Sequence, residues 1–293
     1  MSTNLSVTKP VNVGSWLSLA TKKLVAVGIG TGRLDALVLL EDETGQDRAW
    51  LLAHPEKNIP KISVLKLEGQ IKRRAKHEPL AYIRGFSEFY SRRFTVDKTV
   101  LEPRPESETM ITLLKNLLRH KTQFSEVRPL KIVDVGTGSG ALAVTAKLEI
   151  PSAEVMATDI DSRCLKIARQ NAKVHKVDIK FYKGDLLSAL PTANSQKLTA
   201  IMANLPYVPT NWQINRAASH EPRLAIYGGS DGLDVYRRFF EQIKNSKLKP
   251  RYILTECLPP QHQKLAKIAK SADFKLLKTV DFIQLFEQVG SPT

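Results

Sequence analysis

The apolar positions of this chain change their period about a third of the way along. Trp16 to Val27 carries apolar residues at helical spacing and is followed by Gly28, Gly30 and Gly32, which predicts a helix with a firm stop. Leu34, Leu37, Val38 and Leu40 continue the same period, and Gly45 to Ala53 and Ser63 to Ala75 read as two further helices. Between Ala81 and Val100, aromatic and β-branched residues take over: Tyr82, Ile83, Phe86, Phe89, Tyr90, Phe94, Val96 and Val100. That enrichment predicts a β-hairpin. Pro103 and Pro105 interrupt it, and Pro105 suits the first turn of a helix running to His120.

From Leu130 onward, short apolar runs alternate with helical stretches. Strands are expected at Lys131 to Val135, Glu154 to Thr158, Ile179 to Tyr182, Thr199 to Ala203 and Tyr252 to Glu256. Helices are expected at Ser139 to Leu148, Ser162 to Val174, Asp231 to Ile243 and Pro260 to Ser271, and Phe274 to Thr279 with Phe282 to Gln288 reads as a closing antiparallel pair. Alternation of this kind means βαβ units, hence an α/β fold whose mainly parallel sheet is covered on both faces. The boundary with the helical region is expected between residues 100 and 130, near the proline-punctuated segment.

Composition narrows the picture. The 293 residues allow one large or two modest domains, and 42% hydrophobic with 25% charged residues is the balance of a soluble globular protein. No apolar run is long enough to span a bilayer, and the polar stretch from Met1 to Ser15 lacks the core of a secretory signal. Cys164 and Cys257 are the only cysteines, which excludes a disulfide framework or a four-cysteine zinc site within the chain; no metal site is predicted, and a cytoplasmic location is expected. The net charge of +15 favours polyanionic partners such as nucleic acid or ribosome, or an acidic protein. A generally basic, solvated surface accounts for it equally well, and the helically spaced set Lys166, Arg169, Lys173 and Lys176 reads as a solvated basic face rather than a nucleic-acid groove.

Asp134-Val-Gly136-Thr137-Gly138-Ser139-Gly140 joins the first strand of the alternating region to its first helix. Glycines there let the chain turn sharply and let a ligand approach the main chain, beside a helix N-terminus. Asp159 closes the second strand at ~20 residues further on, where an acid reaches a ribose diol. Asp185, in Gly184-Asp185-Leu186, follows the third strand and is placed to meet an adenine edge. Gly136, Gly138 and Ala141 also fit a dinucleotide fingerprint. A pyrophosphate gains nothing from the Asp134 carboxylate, whereas the ammonium of S-adenosylmethionine does, so the methyl donor is the better fit.

Asn204-Leu205-Pro206-Tyr207 follows the fourth strand. Methyl transfer to an amide or an exocyclic amine needs the nitrogen held in line, with its delocalised lone pair localised by two acceptors on the NH2 group. The Asn204 side-chain oxygen and the Leu205 carbonyl are the candidates. Pro206 biases Leu205 to an extended shape, and Tyr207 offers a ring to stack on a flat acceptor. None of the six histidines lies in either motif, consistent with a nitrogen that releases its proton without a strong base. Taken alone, Asn-X-Pro could simply end a strand; its place after the fourth strand of a donor-type sheet favours chemistry.

The chain resembles the HemK/PrmC family, which methylates the glutamine amide of peptide chain release factors. The likeness runs from about residue 15 to the end. It is carried by Arg33-Leu-Asp35-Ala, Glu78 to Ile83 with Gly85, Glu88-Phe89-Tyr90, Phe94-Thr95-Val96, Leu101-Glu102-Pro103-Arg104-Pro105-Glu106-Ser107-Glu108, the glycine loop, Glu221-Pro222, and Gly228 to Leu233. The resemblance implies a flexible leader over 1–15, a helical substrate-recognition domain over 16–78, a β-hairpin linker over 79–104 and a Rossmann-like methyltransferase domain over 105–293. It implies S-adenosylmethionine held by Asp134, Gly136 to Gly140, Asp159, Asp185, Leu186 and Asn204. The glutamine would be held by Asn204 to Tyr207, with Arg104 and Glu106 at the mouth of the substrate site. Acids are also favoured in a helical first turn, so Glu106 and Glu108 keep that second explanation.

The family usually carries proline where Leu205 stands; a carbonyl contact survives that change, and Ser107 keeps the hydroxyl of the usual threonine. The tetrapeptide as it stands is similar to that of ribosomal RNA adenine dimethyltransferases. An adenine amino group of RNA or DNA therefore remains an alternative acceptor, and a non-catalytic release-factor or ribosome-binding protein a second alternative. A monomer acting on a release factor, with transient ribosome or RNA proximity and no membrane contact, is expected. Trp16, Trp50 and Trp212 read as packing residues, with Trp212 placed to touch substrate, and His77 and His220 read as structural.

Overall fold

A computed structural model of the chain describes residues 10–119, 130–191 and 198–290. They group into two units, one running to Gly85 and including Asn215–His220, the other holding Phe86–Ile214 and the chain from Glu221. The division falls inside the segment read as a hairpin linker, and the hairpin goes with the sheet.

The first unit is helical. Strand β1 (Val11–Asn12) pairs antiparallel with β2 (Asn58–Ile59), and helices α1 (Val13–Ala26), α2 (Gly32–Thr44), α3 (Arg48–Ala53), α4 (Lys61–Arg74) and α5 (Leu80–Arg84) surround one apolar core. Of the leader read as flexible over 1–15, only Pro10 to Ser15 is described, and Val11 to Ser15 is built into β1 and α1. Helix α1 starts three residues earlier than its apolar spacing predicts because Asn12 caps it, accepting from Ser15 N at 2.8 Å. Gly45, left-handed at φ 68°, ends α2, and Asp47 caps α3, so the helix expected from Gly45 begins only at Arg48. Trp16, Leu24, Leu39, Leu40 and Leu67 fill the core, and Arg74 pairs with the buried Asp35 at 2.7 Å.

The aromatic run from Ala81 is only partly a hairpin. Pro79 opens α5 and left-handed Gly85 closes it, taking Tyr82 and Ile83 into helix; β3 (Phe86–Phe89) and β4 (Arg92–Thr95) then pair across Tyr90 and Ser91, both at positive φ. A short 3-10 turn, Pro105–Ser107, leads into α6 (Glu108–Arg119); the predicted end at His120 lies outside the described residues.

The sheet follows as the alternation predicts: β5 (Lys131–Val135), α7 (Ala141–Glu149), β6 (Glu154–Asp159), α8 (Ser162–Val174), β7 (Lys180–Lys183), β8 (Ala200–Ala203), a loop containing the single turn α9 (Arg223–Ile226), α10 (Asp234–Asn245), β9 (Tyr252–Glu256), α11 (His262–Lys270), β10 (Phe274–Val280) and β11 (Ile283–Gln288). The strand order is β10-β11-β9-β8-β5-β6-β7, with β5 to β9 parallel and β10 and β11 antiparallel. Two cores flank the sheet. Met110, Ile111 and Leu114 of α6 share one with Ile132, Met202 and Leu254; Tyr236, Phe239 and Phe240 of α10 share the other with Val133, Ile201 and Ile253. Chain order reverses direction at β5, whose neighbours are β6 and β8, and such a switch opens a crevice at the carboxyl ends of the strands. Among the described residues no helix is long and apolar enough to cross a membrane.

Candidate active site

The glycine loop leaves the end of β5 and doubles back onto β6: Gly136 N and Thr137 N both donate to Thr158 O at 2.9 Å. Asp134 holds this bend from beneath. It is wholly buried, and its Oδ2 accepts from Thr137 Oγ1 at 2.6 Å and from Ala143 N, in the first turn of α7, at 3.1 Å. Burial pushes its carboxyl up to about 7, against those two hydrogen bonds. Its Oδ1 is buried with no partner among the described residues. An orphaned carboxylate oxygen beneath a glycine bend suits a cationic ligand group.

Asp159 ends β6 beside the same loop. Its Oδ2 accepts from Gly138 N and its Oδ1 from Asp161 N, each at 2.9 Å, and burial raises its carboxyl. Asp185 is placed differently. Both its oxygens accept from Arg238 of α10 at 2.6 Å, and Gln242 adds a bond at 3.2 Å, so the carboxylate is committed to protein. On the other side of the loop, Asn171 of α8, 1% exposed, donates to Ser139 O and Thr95 O and accepts from Thr95 N, tying the loop to the hairpin.

The other half of the crevice lies at the ends of β8 and β9. Ala203 and Thr255 are register partners, so Asn204, just past the end of β8, and Glu256, the last residue of β9, lie side by side. The two-residue period puts both on the Met202 and Leu254 face, the face α6 covers. The turn before α6 brings Ser107 to them. Ser107 Oγ donates to Glu256 Oε2 at 2.5 Å, Asn204 Nδ2 donates to Ser107 Oγ at 2.9 Å and to Glu256 Oε2 at 3.1 Å, and Tyr207 OH donates to Glu256 Oε1 at 2.9 Å. Burial raises the Glu256 carboxyl, opposed by these donors. Burial and the Glu256 charge hold the Tyr207 hydroxyl far above its ordinary value.

Leu205 is buried, and its main-chain N donates to Tyr236 OH at 3.3 Å, an N–H that a proline there lacks. Tyr236, buried in α10, also donates toward Glu256 O at 2.6 Å, with Ala203 O at 2.9 Å, so one hydroxyl spans the ends of β8 and β9. The Gly228 to Leu233 segment backs the tetrapeptide: Val208 N donates to Ile226 O and Gly228 N to Val208 O. A Cβ at Gly228 would stand 2.3 Å from Pro206 O, and one at Gly232 2.1 Å from Tyr207 O, which is why glycine occupies both.

Arg104 pairs with buried Glu221 at 2.6 Å, and burial pushes Glu221 up to about 7 despite that cation. Glu106 is exposed, near enough for its charge to raise Tyr207 and Glu256. Trp16 is core and Trp50 stacks on His54, but Trp212 is half exposed, so its packing role is not found. Glu256, Tyr236, Asn171 and Glu221 were missed as site residues by sequence reasoning. For Glu256 there was a signal: an acid at the carboxyl end of the otherwise uncharged Tyr252-Ile-Leu-Thr run.

Residues 15–85 match the PrmC N-terminal domain and residues 112–220 the methyltransferase small domain. The release factor glutamine methyltransferase of Coxiella burnetii is 37% identical over 84% of this chain and 86% of its own length. That of Deinococcus radiodurans is 35% identical over 88% and 90%, and that of Bacillus subtilis 38% over 71% and 72%.

Proposed function

The chain belongs to the family of release factor glutamine methyltransferases, and from that premise we propose that it methylates the side-chain amide nitrogen of a glutamine in a peptide chain release factor, with S-adenosylmethionine as donor. Bound there, the donor supplies an electrophilic methyl on a sulfonium. The unpartnered Asp134 Oδ1 supports an ammonium-bearing ligand, with the Gly136 to Gly140 main chain, Asp159 and the Asp185-Leu186 backbone completing its seat. Asn204 and Tyr207 carry the acceptor side.

The observation that carries this reading is the state of Asn204. Its NH2 edge is turned to the Ser107 hydroxyl and the Glu256 carboxylate, so Oδ1 is the edge left to a substrate. Among the described residues nothing donates to that oxygen or to the Leu205 carbonyl. Two acceptors converging on an amide NH2 orient it and draw its lone pair out of conjugation, which makes the nitrogen nucleophilic where it is needed. Once alkylated, the nitrogen releases its proton to water, so no basic side chain is required. Arg104 and Glu106 line the approach in this reading, the +15 charge suits transient proximity to ribosomal RNA, and the protein acts as a cytoplasmic monomer.

The test is methyl incorporation into a purified release factor and into a variant with its acceptor glutamine replaced. Label is expected in the first alone; equal labelling of both, or label in RNA that nuclease removes, refutes the reading. Mass spectrometry of release factors from cells with and without the gene supplies the same answer in vivo.

A further inference from the structure

We infer that Glu256 is a positioning residue that decides which edge of the Asn204 carboxamide faces the acceptor. The inference rests on the acceptor role of Asn204 proposed above and names what enforces it. A carboxamide has two edges of nearly equal shape, one donating and one accepting. Left to rotate, Asn204 would present its NH2 to the substrate NH2 half the time, and two donors cannot bond. Glu256 breaks that symmetry. As a carboxylate it only accepts, so the edge of Asn204 that meets it must be the donating one.

The surrounding hydrogen bonds fix this arrangement. Glu256 Oε2 accepts from Ser107 Oγ, and these two oxygens, 2.5 Å apart, share an N–H of Asn204 Nδ2 at 3.1 and 2.9 Å. Glu256 Oε1 is occupied by Tyr207 OH, which fixes the carboxylate plane. The Glu256 main chain is itself tied to α10 through Tyr236 OH. A flipped Asn204 would set its oxygen against Glu256 in a buried site, where facing acceptors repel most strongly. With its oxygens held by Ser107, Asn204 and Tyr207, the residue acts through those side chains.

The test uses the full chain with S-adenosylmethionine and a release factor. Glu256→Gln keeps the shape but offers Asn204 either edge. Its kcat is expected to fall roughly tenfold or more, equal to about 1.4 kcal/mol, while the calorimetric dissociation constant for the donor and the donor KM stay as in wild type. Ser107→Ala lowers kcat in the same pattern, and Ser107→Thr, which keeps the hydroxyl, restores it; this pair decides the matter should Glu256→Gln fail to fold. Unchanged kcat in Glu256→Gln, parallel losses of donor affinity and kcat, or a Ser107→Thr no better than Ser107→Ala overturns the inference. Wild-type transfer to an RNA adenine rather than glutamine overturns the proposed substrate alone, and the same Glu256 comparison is then read on that acceptor.

Discussion

The two halves of the crevice are built by different means. Around β5 and β6 the ligand-facing groups lie close together in the chain. Asp134 accepts from Thr137 and Ala143 within ten residues, and Asp159, from the next strand, accepts from Gly138. Around β8 and β9 no group is local: Ser107, Asn204, Tyr236 and Glu256 come from four separate stretches and meet only because the sheet register and α6 bring them together. The first half is a glycine bend braced by its own Asp134 and by the neighbouring strand β6. The second is a polar network whose every member depends on the others, so damage to one is felt by all.

That contrast can be broken from either side. The largest effect is expected from Asn204→Ala, which removes the side-chain acceptor while leaving the donor loop intact. Methyl transfer should fall on the order of 10²–10³-fold, the usual cost of losing one group aimed at the reacting atoms, with donor binding retained in weakened form by calorimetry. Unchanged turnover would sink the acceptor role. Gly232→Ala attacks the same half from behind. Its methyl meets Tyr207 O and the residue must stay at φ 81°, so thermal melting should show a loss of about 1–3 kcal/mol together with impaired transfer.

Asp159→Ala probes the other half. It should weaken donor affinity roughly tenfold, about 1.4 kcal/mol, with kcat at saturating donor nearly preserved; an unaltered dissociation constant argues against a ribose contact. The smallest effect is in pH. With its carboxyl at about 7, Asp134 in the donor-free protein keeps a proton that the unfolded chain has lost above its ordinary value of 3.8. Stability of the donor-free protein therefore falls as pH rises between those values. A bound ammonium favours the ionised form, so donor affinity should strengthen severalfold from about pH 6 to pH 8, and Asp134→Asn should flatten that slope. Glu221 also sits at about 7, and the variant separates the two.

Legibility followed the same division. The strands of the sheet could be read because short apolar runs punctuated by turns have few other outcomes, and Ser162–Val174 and Tyr252–Glu256 form at their predicted bounds. The aromatic run after Ala81 misled because Pro79 and Gly85 make a one-turn helix that overrides strand propensity. Asp185 was visible as an acid at a strand end, but nothing in its neighbourhood announces Arg238, 53 residues away, which takes both its oxygens.

The sequence by itself determined the alternating architecture, the glycine bend with Asp134 and Asp159, and the tetrapeptide at the end of β8, because each is a local pattern with a local physical cause. Only the tertiary structure decided which edge of Asn204 is free, why Gly228 and Gly232 must lack side chains, and that a leucine N–H at 205 meets a tyrosine hydroxyl. Those depend on hydrogen-bond partners and close approaches between segments up to 149 residues apart, and no pattern along the chain encodes which of them will touch.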